Sequence, residues 1–403
     1  LLGGYPETKH FKQPEEYLKF IADKKIKCPS CSGDFAPEIK KHNLMMKTTV
    51  GIDQEAYNRP ETATTTYLPF LRFTDYFRKQ PVFGVFQIGK AFRNEISPRQ
   101  HIIRMREFTQ AEAQLFIKKE LKTKFEKYND VKNDVLPLWD YKSQDEQKEV
   151  QKMKIKDALK KGFFKSQAYA WTIAVAYRLF INMGIPEDKI RMRQHFPDEK
   201  AFYADDAWDV EINTRSFGWI EVCGVHDRTD YDLKQHAKFS GTTLEAFDEA
   251  TGQKYVPHVL EIAFGTDRPV FALLDLFYEQ KEKEQGKTIF KIPYYLSPIS
   301  VAIFPLIKKD ELVKKARKIY DELSKEFLCV YDESGQIGRR YLRAAEAGTA
   351  FCITIDFETI EKKPATVTIR DRDTEKQARV NASSLRKTLR TLLSGEKKFE
   401  KLK

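Results

Sequence analysis

The chain has 403 residues, of which 41% are hydrophobic and 13% aromatic, so it is long enough for two or three domains with packed cores. A formal net charge of +11 favours a polyanionic partner, the alternative being a basic surface kept for solubility. No apolar run is long enough to span a membrane. Five irregularly spaced Cys argue against a disulfide framework and for a reducing, cytoplasmic location.

The lead-in at the N-terminus is polar and Lys-rich, and it predicts one short helix around Glu15–Asp23. Cys28 and Cys31 follow in CPSC, which is half of a zinc-ribbon site. A complete site needs two more ligands, and His10 and His42 do not have a standard spacing for that purpose. Zinc held by Cys28 and Cys31 and a metal-free turn are therefore both open interpretations.

The stretch GKAFRNEISPRQHIIRMREFTQAEAQLF predicts a strand, a polar loop and a second strand. Such a hairpin brings Arg93 and Arg104 together on one sheet, with Glu95 and Glu112 nearby. An Arg fork can hold a phosphate through two parallel hydrogen bonds, and a carboxylate can hold an amine. The pattern therefore indicates a site for a nucleotide and an amino acid, the alternative being a salt-bridged hairpin face.

The segment FRNEISPRQHIIRMREFTQAE also resembles the second signature motif of class II aminoacyl-tRNA synthetases, in the form found in glycyl-tRNA synthetases of the archaeal and eukaryotic type. The resemblance implies that Arg93 holds the ATP α-phosphate and the amino-acid carboxylate, that Arg104 meets the outer phosphates, and that Phe108 stacks on adenine. It further implies ATP contacts from Asn94, Glu95 and Met105.

Two other segments extend the resemblance. Arg59-Pro60-Glu61-Thr62-Ala63 is similar to the family segment that points a Glu at the amino group of glycine, although the usual Gln-Gly continuation is replaced by Thr residues. The alternative role for Glu61 is an acid in a first helical turn after Pro60. GWIEVCGVHDRTDYDLKQH is specific to the family, and it implies a Mg²⁺-binding Glu221 and an ATP-flanking Val222.

In the same stretch, the resemblance places Arg228 against glycine or the adenylate, whereas we expect Asp230 and Asp232 to cap a helix. PHVLEIAFGTDRPVFALLDLFY resembles the third class II motif and implies that Arg268 clamps the ATP phosphates and that Glu261 joins the glycine pocket. Ala263 stands where the family usually has a glycine-reading Ser.

The resemblance thus implies that Glu61, Glu112 and Glu261 line one pocket, which would pair with the glycine ammonium and leave no space for a side chain. Because three nearby carboxylates repel one another, we expect Arg or backbone donors to hold them.

The C-terminal part alternates strands and helices, and it resembles the anticodon-binding domain shared by glycyl, threonyl, prolyl and histidyl synthetases. The candidate tRNA contacts there are Arg339, Arg340, Arg370 and Arg372, the alternative being internal ion pairs.

The predicted fold is α+β: a class II antiparallel sheet flanked by helices, with a helical insertion, followed by an α/β anticodon-binding domain. The expected boundaries are 1–58 for the lead-in, 59–290 for the catalytic domain with the insertion at 117–200, and 296–395 for the anticodon-binding domain.

The predicted function is a cytoplasmic glycine–tRNA ligase that uses ATP and Mg²⁺, acts on glycine and tRNA(Gly), and has no membrane partner. The alternatives are a non-catalytic nucleic-acid-binding relative and a ligase for another small amino acid. The first class II motif, which builds the dimer, is absent, so we expect a homodimer only in a protein with a longer N-terminus.

Overall fold

The computed structural model describes residues 5, 8, 11, 13–29, 31–39, 42–96, 98, 101–280 and 287–402. His10 and the 281–286 part of the polar link lie outside the described residues. Helices within this part of the chain are α1 (Pro14–Asp23), α2 (Thr64–Tyr67), α3 (Phe70–Tyr76), α4 (Tyr141–Asp145), α5 (Ile155–Lys160), α6 (Gln167–Asn182), α7 (Tyr231–Ser240), α8 (Asp267–Phe277), α9 (Asp310–Leu323), α10 (Ile337–Glu346), α11 (Phe357–Glu361) and α12 (Leu385–Leu393).

The strands of the first 290 residues are β1 (Met46–Val50), β2 (Gln54–Asn58), β3 (Val82–Phe92), β4 (Glu107–Ile117), β5 (Val135–Trp139), β6 (Gln151–Lys154), β7 (Ile190–Gln194), β8 (Asp206–Thr214), β9 (Gly218–Thr229), β10 (Ala246–Asp248), β11 (Gln253–Tyr255), β12 (His258–Gly265), β13 (Tyr278–Gln280) and β14 (Thr288–Phe290). The C-terminal strands are β15 (Val301–Pro305), β16 (Cys329–Tyr331), β17 (Phe351–Ile355), β18 (Thr366–Asp371) and β19 (Gln377–Asn381).

One large sheet forms the N-terminal half, in the order β3-β4-β12-β9-β8-β7-β5-β6 among the described residues. Its neighbouring strands are antiparallel except for the parallel pair β5 and β7. Helix α6 is apolar nearly all round, as a buried helix should be, and it covers one face of the sheet with Ala170, Ile173 and Phe180 fully buried. The other face of β4, β12 and β9 carries the polar residues of the site.

The predicted hairpin is confirmed: β3 pairs with β4 in one unbroken antiparallel register from Val82–Ile117 to Phe92–Glu107. The predicted strand-turn-helix is also confirmed as β12 followed by α8. These elements fix the arginines and the glutamates, because alternate side chains of a strand share one face.

The prediction of a helical insertion at 117–200 is corrected by the structure. Helices α4, α5 and α6 are present, but β5, β6 and β7 extend the main sheet, and Lys119–Lys122 and Glu126–Asp130 form 3₁₀ turns. Strand β6 reads QKMK and buries only Met153 of its four residues. The abundant Lys residues therefore hid the strand period from sequence reasoning.

The C-terminal domain is a sheet ordered β16-β15-β17-β18-β19, with β15 parallel to β16 and β17 and with β18 and β19 antiparallel. Helices α9 and α12 bury the amphipathic stripe of Leu312, Ala316, Leu385 and Leu389 against it. The predicted mixed α/β architecture is confirmed. Within the described ranges, no helix combines the length and the apolar character that crossing a membrane requires.

Candidate active site

A cavity of 290 Å³ opens on the polar face of β4, β12 and β9. The sheet register forms two rows of residues across β4, β12 and β9. One row is Gln114, Glu261 and His226, and the other is Glu112, Ala263 and Gly224. The predicted site residues that line this cavity come from five separate segments: Glu61, Arg93, Glu95, Arg104, Met105, Phe108, Glu112, Glu221, Val222, Arg228, Glu261, Ala263 and Arg268. The structure therefore brings together every predicted nucleotide and amino-acid contact except Asn94.

The loop that carries Glu61 is fastened to the hairpin by its neighbours. Arg59 lies across Gly89, where a Cβ would stand 2.4 Å from the guanidinium, and it donates to the Lys90 carbonyl at 2.7 Å. The Thr62 N–H donates to the Gln110 side chain at 3.1 Å. Glu61 precedes helix α2 and is not part of its first turn, so the helix-acid alternative is wrong.

Arg228 is the centre of the charged network. Its guanidinium donates to both oxygens of Glu261 at 3.0 and 3.1 Å, to Glu61 at 3.1 Å, and to both oxygens of Asp232 at 2.8 and 2.9 Å. Residue 228 is the extra residue of a bulge in β9 opposite Val259 and Leu260, and bulges re-aim side chains in this way.

The expectation that Arg would hold the acids is thus confirmed for Glu61 and Glu261. The guanidinium is buried and already saturated by carboxylates, so it fixes the pocket wall and also faces the cavity. The capping prediction is wrong, because neither Asp makes a side-chain cap bond: Asp232 binds Arg228, and Asp230 pairs with Lys234 at 2.7 Å.

Glu112 and Glu261 are both buried, but their charge states differ. Burial would raise the pKa of Glu261, yet Arg228 and a hydrogen bond from His226 bring it down to about 2. Burial, together with the negative charges of Glu261 and Glu61, raises the pKa of Glu112 to about 8. The Gln114 amide donates to Glu261 at 3.1 Å and to Glu112 at 3.3 Å. The pocket therefore holds the protonated carboxyl of Glu112 at neutral pH beside the ionised carboxylate of Glu261.

The opposite end of the cavity carries arginines and an aromatic ring. The Arg93 guanidinium lies 5.5 Å from the centre of the Phe108 ring and donates to the Pro60 carbonyl at 3.2 Å. Arg268, in the first turn of α8, donates to the carbonyls of Ile103 and Glu221 at 3.1 and 2.9 Å. These carbonyl bonds orient the two guanidinium groups, which suits binding of an anion, and Arg268 also lies 3.5 Å from the Glu221 carboxylate.

Arg104 is exposed and lies 4.0 Å from Glu95, so it is available to an outer phosphate. Asn94 is the exception among the predicted ATP contacts. Its amide donates to the Asn43 carbonyl at 3.2 Å, and its N–H donates to the Leu44 carbonyl at 2.8 Å. Asn94 therefore ties the segment before β1 to the hairpin, and it is not among the residues that line the cavity, so its contact with ATP stays a prediction.

Sequence reasoning missed several residues of the cavity. Gln110, Tyr203, His195, Asp209 and His226 all line it. The Asp209 carboxylate accepts from His195 at 2.7 Å, and although burial opposes it, this bond raises the pKa of His195. The period of two could have found Gln110, two residues before Glu112, and His226, two residues before Arg228.

The Glu221 carboxylate is half exposed in the cavity and lies 3.5 Å from Arg268. Mg²⁺ in nucleotide sites is usually held by one or two carboxylates together with substrate phosphates. Among the described residues, no group of three or more His, Cys, Asp or Glu is arranged as a metal cage. The donors present therefore fit a Mg²⁺ that arrives with a nucleotide, and they do not fit a protein-only metal site.

Zinc at Cys28 and Cys31 is not supported. The two residues flank a tight turn in which the Cys28 N–H donates to the Gly33 carbonyl at 2.9 Å. Third and fourth ligands are missing from the part of the chain that the structure describes, and His42 binds the Asn94 carbonyl.

The four predicted tRNA contacts divide into two pairs. Arg340 is 2% exposed and donates to the carbonyls of Pro305, Leu306 and Asp332. Arg372 is likewise buried and donates to three oxygens of the domain interior, those of Ile292, Gly348 and Ser297. Both are structural, and the prediction that they touch tRNA is corrected.

The other pair lies at the surface. Arg339 is exposed, and Arg370 lies over the Tyr341 ring at 4.8 Å while pairing with Glu375 at 2.8 Å. Arg339, Arg370 and Tyr341 line a second cavity of 380 Å³ in the C-terminal domain.

Comparisons with known proteins agree with this geometry. A family model described as the anticodon binding domain matches residues 300–392. A glycine–tRNA ligase of Thermococcus gammatolerans is 36% identical over 95% of this chain and 80% of the relative, and one of Methanothermobacter thermautotrophicus is 36% identical over 94% and 79%. A crystal structure of prolyl-tRNA synthetase from Cryptosporidium parvum, complexed with L-proline and AMP, superposes with a TM-score of 0.59 at 17% identity, covering 88% of this chain and 62% of that one.

The antiparallel sheet with its hairpin, its strand-turn-helix and its appended α/β domain is the fold of a class II aminoacyl-tRNA synthetase. Arg93 and Arg268, from the hairpin and the strand-turn-helix, line one cavity together with Glu61, Glu112 and Glu261. Identity and coverage then fix the family within the class: the chain belongs to the glycine–tRNA ligases.

Proposed function

We propose that the 290 Å³ cavity is where this chain joins glycine to ATP, forming glycyl-adenylate and pyrophosphate before the glycyl group passes to the 3′ end of tRNA(Gly). The observation that carries the proposal is the convergence in one cavity of Arg93 and Arg268 with Glu61, Glu112 and Glu261. These side chains come from segments far apart in the sequence. The alternative of a salt-bridged hairpin face does not account for their arrangement around one cavity.

The reaction needs positioning more than a protein nucleophile. The glycine carboxylate attacks the α-phosphorus, a new C–O–P link forms, and the bond to the bridging oxygen breaks so that pyrophosphate leaves. Charge builds up on the oxygens of the α-phosphorus, and preorganised cations stabilise it best. Arg93 would contact both anions, since the Pro60 carbonyl and the Phe108 ring hold its guanidinium and no carboxylate among the described residues pairs with it.

The nucleotide fits the arginine end of the cavity. In this proposal adenine stacks on Phe108, with Glu95, Met105 and Val222 at its edges, while Arg104 and Arg268 meet the outer phosphates. Glu221 is the carboxylate that would hold Mg²⁺, which supplies charge neutralisation on the phosphates when bound. Its position beside Arg268 puts a carboxylate next to the expected triphosphate.

The amino acid fits the carboxylate end. The glycine ammonium would lie among Glu61, Glu112 and Glu261, and Arg228 holds two of these acids in place. Thr65, which follows Glu61 in the sequence, holds this loop against strand β3, because its hydroxyl donates to the Gln87 side chain at 2.6 Å. The departure from the usual Gln-Gly pair therefore leaves the Glu61 loop supported.

The C-terminal domain supplies the tRNA-binding part of the proposal. Arg339 and Arg370 remain as proposed contacts because both border the second cavity. Their contribution should weaken as salt rises, since phosphate contacts release counterions. A cytoplasmic location is also proposed, on the basis of the irregular Cys spacing.

A homodimer is proposed through strand β3. Within the described residues β3 forms one edge of the large sheet, and its Phe86 and Ile88 are 61% and 58% exposed. Leu68 and Tyr76, just beyond α2 and at the end of α3, are exposed as well. Long edge strands with apolar side chains invite pairing with another chain.

Glycine-dependent exchange of pyrophosphate into ATP tests the proposal. The wild type should exchange with glycine, and Arg268→Ala should lower kcat/KM by about 10²- to 10³-fold, as expected for loss of one preorganised charge. Arg215→Ala is the matched control, because Arg215 binds the Tyr278 carbonyl outside the cavity. No exchange by a dimeric wild type would favour a non-catalytic nucleic-acid-binding relative, and better exchange with alanine would overturn the choice of glycine.

A further inference from the structure

The amino-acid end of the cavity contains one ring that the proposed pocket does not yet use. His226 lies on β9 directly opposite Glu261 of β12, and its Nδ1 is 3.3 Å from the Glu261 carboxylate. A carboxylate with a lowered pKa can only accept, so Nδ1 carries the proton. In this tautomer Nε2 is the ring's hydrogen-bond acceptor, and no described residue donates a hydrogen bond to it.

The ring also occupies space that the neighbouring residues leave open. Gly224 and Ala263 lie opposite each other in the same register, so this part of the sheet face carries only one methyl group. A Cβ added at Gly224 would stand 2.6 Å from Cε1 and 3.3 Å from Nε2 of His226. The imidazole thus lies over Gly224, next to the position from which the usual Ser hydroxyl is missing.

We propose that His226 determines amino-acid specificity by forming the polar wall that replaces this hydroxyl. Nε2 accepts a hydrogen bond from the glycine ammonium, and the ring fills the volume that a β-carbon on the substrate would need. The proposal rests on the proposed glycine pocket. If the glycine ammonium lies among the three carboxylates, the glycine Cα lies one bond away from it and therefore close to the His226 ring, which contacts Glu261.

Two features distinguish this role from simple packing. His226 is partly exposed to the cavity, so its ring is not part of the buried core. Its contact with Glu261 is also not needed to neutralise that acid, because Arg228 already binds both carboxylate oxygens. Removing the ring should therefore change the pocket more than the fold.

The test is pyrophosphate exchange with glycine, L-alanine and D-alanine on His226→Ala. Both alanine enantiomers are needed because the ring would lie against only one of the two α-hydrogens of glycine, and a methyl group replaces a different one of these hydrogens in each enantiomer. The kcat/KM for glycine should fall and that for one alanine should rise, reducing discrimination by about 10- to 100-fold, the usual value of one methylene group. The KM for ATP should stay unchanged.

Two further variants sharpen the result. His226→Gln keeps a donor to Glu261 and most of the volume, so it should retain most of the discrimination. Ala263→Ser added to His226→Ala restores a hydroxyl opposite Gly224 and should recover part of the glycine kcat/KM. His236→Ala is the control, because His236 packs on Tyr67 outside the cavity.

Should His226→Ala fail to fold, Gly224→Ala carries the test. It keeps the ring but displaces it, and the glycine kcat/KM should fall about 10-fold as a positioned contact is lost. If the wild type is active and the folded His226 variants show the same ratio of glycine kcat/KM to alanine kcat/KM as the wild type, this inference alone is overturned. A wild type with no glycine-dependent exchange overturns the proposed function instead.

Discussion

Glu112 makes a prediction that joins stability to function. Its pKa is raised from an ordinary 4.5 to about 8, first by burial and then by the charges of Glu261 and Glu61. The folded protein therefore keeps a proton that the unfolded chain releases. The stabilising effect of that proton is complete below about pH 4.5 and is lost as the pH rises through 8.

The size of the effect follows from the shift. At about 1.4 kcal/mol per pKa unit, roughly 1 kcal/mol of unfolding free energy has been lost by pH 5.5 and roughly 4 to 5 kcal/mol by pH 8.5. Glu112→Gln stays neutral in both states and escapes this loss. Its stability advantage over the wild type should therefore grow by roughly 3 kcal/mol between the two pH values.

Urea unfolding followed by tryptophan fluorescence measures this difference. The four Trp residues all lie between 139 and 219, so the signal reports the N-terminal half alone. Glu107→Gln is the matched control, since Glu107 is an exposed acid on the same strand. An advantage of Glu112→Gln that does not change with pH would refute the assignment of a protonated Glu112.

Three other outcomes are expected. Arg93→Ala should lower exchange by about 10³-fold or more with an unchanged fluorescence midpoint, and an unfolded variant would point to a structural role. Arg340→Ala should destabilise the C-terminal domain by about 3 kcal/mol, because buried carbonyls lose a charged donor, and unchanged melting by calorimetry would contradict its burial. Phe86→Glu should shift the proposed dimer to monomer in sedimentation, and unaltered association would exclude β3 as the interface.

Glu112→Gln should also carry a functional cost. An amide carries no negative charge, so above pH 8, where wild-type Glu112 is ionised, the glycine KM of the variant should exceed that of the wild type even though the variant is the more stable protein there. The raised pKa has a second consequence for the wild type. Ammonium binding requires Glu112 to lose its proton for full pairing, so the glycine KM should fall as the pH approaches 8.

The sequence located the site because its motifs are local and strongly patterned. The alternation in VFGVFQIGKAF and EFTQAEAQLFI predicted β3 and β4, and the period of two placed Glu112 on a single face. The grouping of Glu61, Arg228 and Glu261 came from resemblance, since 33 residues of chain separate Arg228 from Glu261.

The predictions that the structure corrected depended on tertiary contacts, which a local sequence pattern does not show. Arg340 and Arg372 look like other surface arginines in sequence, and only the tertiary structure shows that they point at buried carbonyls. Asp232 has the spacing of a helix cap, but a neighbouring guanidinium outcompetes the backbone donors for it. Strand β6 was missed because two exposed Lys residues flank its one buried residue, Met153, and obscure the alternation.

The central claim is that one cavity binds the amino acid and the nucleotide together. Calorimetric titration with a nonhydrolysable glycyl-adenylate analogue tests it directly, with AMP and glycine titrated separately for comparison. The analogue should bind far more tightly than either part, and both Arg93→Ala and Glu61→Gln should weaken it, because each end of the ligand loses a partner. Equal affinity for the analogue in the wild type and both variants would contradict the account.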